Sequence, residues 1–216
     1  THRKGSFARQ ALLDGLGFAA KGMGNPFRYG FIGDTDTHNA GASNEEYNYT
    51  GKFAFENNPA HRLEGVKGQP PGQVQQVREF SSGGLAGVWA AENTREAIFA
   101  AMLRRETFGT SGPQIKVRFF GGWAYSAADV NSPDFVARGY AGGVPMGGTL
   151  PAPAVKGSGE KAAPSFLVWA SKAADSGNLD RIQVVKGWLD AAGAQQEKIF
   201  DVAWSGERQP DAAGRL

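Results

Sequence analysis

The chain has 216 residues, with 23 basic against 21 acidic side chains and no cysteine. This near-neutral balance excludes a protein held to nucleic acid by clustered Lys and Arg, and the missing thiols exclude disulfides and thiolate metal sites. With 41% hydrophobic positions, 31 glycines and 11 prolines, the composition is globular and rich in turns, and no stretch reaches the roughly 18 apolar residues of a membrane span.

Residues 6–22 place Phe7, Ala8, Ala11, Leu12, Gly15, Leu16 and Ala19 at helical spacing, so a helix is expected, stopped by Gly22, Gly24 and Pro26. Tyr29 to Gly33 is short, apolar and bounded by glycine, which predicts a buried strand running into Asp34-Thr-Asp-Thr-His38. Residues 39–86 read as one long irregular excursion. Leu85 to Ala91 predicts a second short strand. A helix is expected from Asn93, with Glu96 at capping-box spacing, to about Glu106.

After Ser111-Gly-Pro113 the pattern changes. Ile115–Phe119 alternates as a half-buried strand does, and Phe166–Ala170, Ile182–Val185 and Ile199–Val202 follow as further short strands between turn signals. The expected organisation is therefore an α/β part over 1–112 and an all-β, sandwich-like part over 113–216, with 151–164 as a connection.

The strongest chemical signal is Asp36-Thr-His38 at the end of the expected strand. Strand residues two apart share a face, so both side chains can address one divalent ion, and carboxylate with imidazole suits a hard or borderline metal. The alternative is a polar turn in which Asp36 caps and His38 faces solvent. Glu45 and Glu46 follow closely, as general acid/base candidates or as two solvated loop carboxylates. Arg62, with Lys52 and Arg95, suits an anionic ester. The three histidines are His2, His38 and His61. No His-x-His pair occurs, so a complete multi-metal site is not expected within these residues. Neither a nucleophile elbow nor a phosphate loop is present. Trp123, Trp169, Trp188 and Trp204 fall in the β-rich half, as core or as a sugar platform.

The string Tyr29-Gly-Phe-Ile-Gly-Asp-Thr-Asp-Thr-His-Asn39 resembles the Ser/Thr-Asp-x-His motif of the polymerase and histidinol phosphatase (PHP) superfamily, whose members are distorted β/α barrels. Glu92–Ile98 and Arg105–Pro113 resemble the end of PHP-like hydrolases of the CehA type. More broadly, Asn25–Gly33, Glu45–Lys52, Val117–Trp123, Leu179–Trp188 and Asp201–Gly206 resemble the C-terminal part of a large bacterial family of unknown function built on that plan.

The resemblance implies the C-terminal portion of a PHP-type barrel followed by a β-sandwich-like domain. It implies Asp36 and His38 as ligands for divalent metal (Zn, Mn or Fe), Glu45 or Glu46 in catalysis, and Arg62 toward a small phosphate or similar anionic ester. The remaining ligands, including a His-x-His pair, are expected upstream in the same protein. The chain begins with Thr rather than Met, so it is expected to be processed or a cut piece of something longer, and with too few ligands of its own it is expected to be inactive alone. A periplasmic address follows only if the parent carries a signal peptide. The contrasting expectation is a non-catalytic module whose β-rich half contacts a partner or carbohydrate.

Overall fold

The computed structural model describes residues 7–38, 47, 83–153, 163–212, 214 and 216. Most of the 39–86 excursion and the middle of the 151–164 connection lie outside them. The chain divides into two compact units, Thr1–Tyr29 with Gly177–Leu216, and Gly30–Ser176. These breaks fall elsewhere than the change in sequence pattern near 112.

In the first unit, helix α1 (Ala8–Ala20) lies within the predicted span, and Gly22 turns the chain away with a φ of 76°. Its Leu13 and Gly15 are buried. Leu13 sits over Gly187 so closely that a Cβ there would come within 2.7 Å of Leu13 Cδ2. Gly187 belongs to a long antiparallel hairpin. Numbered in chain order with the strands of the second unit, its arms are β6 (Arg181–Leu189) and β7 (Gln195–Trp204). Val184 faces Phe200 and Val185 faces Ile199, with a bulge at Ile182/Gln183. A polar triad fixes α1 to the hairpin: Gln10 Nε2 donates to Gln195 Oε1 (2.8 Å), and Gln195 Nε2 donates to Asp14 Oδ1 (2.8 Å).

Asp190 builds the hairpin turn. Its carboxylate accepts the N–H groups of Ala192 (3.0 Å) and Ala194 (2.9 Å) and the Gln196 amide (2.9 Å). The Ala194 N–H and then the Gln196 amide hold its carboxyl below the usual value of 3.8. A carboxyl depressed in the folded state stabilises fully above its unfolded pKa, and that contribution is lost as pH falls through the folded one. Melting temperature should therefore fall more steeply below about pH 4 in the native chain than in Asp190→Asn, which cannot gain that proton. Parallel acid limbs would show that the turn does not depend on this charge.

In the second unit, β1 (Ala86–Val88) pairs antiparallel with β2 (Thr107–Gly109). Helix α2 (Arg95–Leu103) lies between them in sequence. Its cap is Thr94, one residue beyond the expected Asn93: Thr94 Oγ1 accepts the Ala97 N–H at 3.3 Å. A second sheet has the order β4-β3-β5 and is antiparallel throughout. Its strands are β3 (Lys116–Gly122), β4 (Gly143–Pro145) and β5 (Ser165–Ser171). Helices α3 (Ala127–Val130) and α4 (Phe135–Gly142) separate β3 from β4.

Phe120, Leu167 and Phe135 form the core of this unit, with Tyr125 against them. Gly139 of α4 makes room for the Phe120 ring, since a Cβ there would lie 2.6 Å from it. The described residues thus form a β-rich, mixed α/β protein of small antiparallel sheets, with no closed barrel among them.

The expected strand at 29–33 is corrected. Residues 28–38 carry no strand, and Tyr29, Phe31 and Ile32 are exposed rather than buried. What replaces a ladder is close packing of backbone. Leu85 O accepts from both Gly33 N (3.2 Å) and Thr110 N (3.0 Å), so one carbonyl ties the segment to the edge of the two-stranded sheet. A Cβ on Gly83 would lie 2.3 Å from Thr35 Cα, and one on Gly84 would lie 2.2 Å from Thr110 O. Only glycine permits backbone to approach backbone this closely.

Candidate functional site

That glycine contact holds the turn bearing Asp36 and His38. Asp36 has a φ of 53°, left-handed backbone that Asp tolerates better than most residues at a cost on the order of 1 kcal/mol. This backbone geometry brings His38 Nδ1 to 2.8 Å from the Asp36 carbonyl oxygen and 3.9 Å from its carboxylate. A carbonyl can only accept, so at this contact Nδ1 is the donor, which makes Nε2 the ligand atom of the ring. Beside it, the Thr35 and Thr37 hydroxyls are 3.1 Å apart, and the Thr37 N–H points at Thr35 Oγ1 (3.4 Å). Both predicted ligands are well exposed, His38 at 46% and Asp36 at 65% of their side chains.

The structure therefore brings Asp36 and His38 together through a left-handed Asp36 in an irregular segment, not through the shared face of a strand. Among the described residues no group of three or more His, Asp or Glu is placed to hold a metal. Glu45, Glu46, Arg62, Lys52 and His61 lie outside the described residues. Arg95 is exposed at the start of α2.

Sequence reasoning missed a second cluster, in the same unit. Glu106 follows α2 and is only 2% exposed. Its carboxylate accepts the Tyr140 hydroxyl and is paired with Arg104 Nη2 (3.4 Å) and Arg118 Nη1 (3.8 Å). The Arg118 guanidinium lies 3.8 Å over the Trp89 ring. Burial, and next the bond to Glu106, push the Tyr140 phenol above its ordinary value, so it stays a neutral donor across the physiological range. A cavity of about 510 Å³ opens beside this cluster. The signal was present in β3, where Lys116, Arg118 and Phe120 share one face. A charge two residues before the deepest aromatic in a strand needs a buried partner.

Fold and site together define a β-rich α/β protein with a carboxylate–imidazole turn held by glycine contacts. The chain belongs to the family described as Protein of unknown function (DUF3604), which matches residues 1–216. No curated protein and no solved structure matches it. No helix among the described residues is long and apolar enough to cross a membrane.

Proposed function

We propose that Asp36 and His38 are two ligands of a divalent metal (Zn, Mn or Fe) in a PHP-like hydrolase acting on phosphate or similar anionic esters. The remaining ligands come from an upstream part of the same protein that completes the barrel. The observation that carries the reading is the 2.8 Å approach of His38 Nδ1 to the Asp36 carbonyl. With Nδ1 donating to that oxygen, Nε2 is the ring's ligand atom, and the other ring nitrogen is held by an acceptor as in metal-ligating histidines. The donor set fits: one carboxylate and one imidazole, without thiolate, suit a hard or borderline ion.

A bound divalent ion supplies Lewis-acid polarisation of the ester and an activated water. The residues of this chain orient and position. The Asp36 carbonyl fixes the His38 ring, and the glycine contacts at 83 and 84 fix the turn. In this reading Glu45 or Glu46 moves a proton, and Arg62 meets the charge of the substrate.

In the full-length parent, His38→Ala and Asp36→Asn should each lower bound metal, measured by elemental analysis. Each should also reduce metal-dependent hydrolysis of bis-p-nitrophenyl phosphate by on the order of 100-fold or more. The 216-residue chain alone should be inactive on the same ester. Unchanged metal content and turnover in both variants would overturn the assignment, and a chelator-sensitive normal rate from the chain alone would refute the need for upstream ligands.

A further inference from the structure

We propose that the cavity beside Arg118 binds a small organic carboxylate carried on a ring. This reading rests on residues other than Asp36 and His38. The cavity, about 510 Å³, is walled by Trp89, Trp169 and Phe135, with Arg118, Asn131 and Ser132 contributing polar groups and no acidic residue in the lining. That size and mixture suit a small-molecule site.

Arg118 on β3 stands directly opposite Trp169 on β5, so guanidinium and indole sit side by side on one face of the sheet. Trp169 is 42% exposed and offers a flat apolar surface for a ring. Trp89 is a fixed wall: its Nε1–H donates to Val117 O at 2.9 Å, and Arg118 covers its ring.

The charge count selects an anion. Glu106 supplies one negative charge against two from Arg104 and Arg118, and Tyr140 is neutral. The two guanidiniums share that one carboxylate, and Arg118 is the less exposed of them, at 14% against 53% for Arg104, so a second counter-charge beside it acts more strongly than in open water. Arg118 uses Nη1 both for its bond to the Tyr140 oxygen (3.1 Å) and for its pairing with Glu106. A guanidinium carries five N–H donors in a planar fork that matches a carboxylate with two parallel bonds. A neutral ring would use the indole and leave Arg118 with only its share of Glu106. A bare anion would use the charge and leave the indole uncovered.

The test titrates the full chain with benzoate and with glucuronate, read by calorimetry and tryptophan fluorescence. Each is set against its neutral counterpart, benzyl alcohol or glucose, and both against inorganic phosphate. Saturable binding of either carboxylate is expected, benzoate marking an aromatic acid and glucuronate a sugar acid. The neutral counterparts should bind at least about 10-fold more weakly, as should Arg118→Lys, which loses the fork. Trp169→Leu, at an exposed position, should also weaken binding about 10-fold. That second variant keeps the test decisive if Arg118→Lys disturbs the Glu106 cluster. The proposal is overturned if neither carboxylate saturates, if a neutral counterpart or phosphate binds as well, or if both substitutions leave affinity unchanged.

Discussion

Phe120→Ala should cost about 3–5 kcal/mol, the range for deleting a buried aromatic ring. Phe120 is 1% exposed. Its ring meets Phe135 edge-on at 5.8 Å and Tyr140 edge-on at 5.2 Å, so two aromatic pairs are lost along with the buried area. The cavity cannot close by a simple shift of α4. That helix already approaches as far as Gly139 allows, and its Tyr140 is tied to Glu106. The urea midpoint should fall accordingly, with the slope unchanged. Phe119→Ala, one residue earlier on the other face, should cost distinctly less, because that ring is half-buried and stacks on the exposed Phe166 at 5.3 Å. Equal losses at the two positions would contradict the placement of the core.

Gly84→Ala should be strongly damaging near the turn, at about 1–3 kcal/mol or more. The added methyl would lie 2.2 Å from the Thr110 carbonyl oxygen and 3.2 Å from Asp34 N. Those atoms are backbone and cannot rotate aside, so either the sheet edge or the Asp34–His38 segment must move. Gly177→Ala is the matched control: a Cβ there meets nothing within 4 Å, and its effect should stay within about 0.5 kcal/mol. Melting temperatures of the two variants decide the matter. A tolerated Gly84→Ala would mean that the turn is not held by this contact.

Helix α1, the two arms of the hairpin and the strand after Gly112 were legible because each carries its period in its own residues. Val184 and Ile199 fall inside the expected strands, but in α1 only the span was legible: Leu13, outside the expected apolar face, is buried, whereas Phe7, Leu16 and Ala19 are exposed. The 29–33 segment misled for a physical reason. Tyr29, Phe31 and Ile32 have the composition of a buried strand, yet nothing local says whether a partner strand lies beside them, and the glycines that flank the segment serve close backbone packing instead. In β3 the alternation pointed to Phe119, whereas Phe120 is the deepest residue, because α4 covers that face and only the tertiary arrangement reveals it. The pairing of Asp36 with His38 was readable from spacing, but its route through a left-handed Asp36 was not. The Glu106–Arg118–Tyr140 cluster joins the residue before β2 to β3 and α4, and no single window of sequence contains it.

The first unit is discontinuous: α1 comes from one side of the second unit in sequence, and its hairpin from the other. The bond between Gln10 and Gln195 spans 185 positions. A chain emerging from the ribosome exposes α1 long before its partner strands exist. Residues 30–176 can meanwhile complete their own contacts, whose closure spans shorter loops. Until β6 and β7 arrive, the apolar side of α1, with Leu13 at its centre, is left in water. An isolated helix of 13 residues is marginal there. The unit that holds α1 thus closes only after the unit inserted into it in sequence.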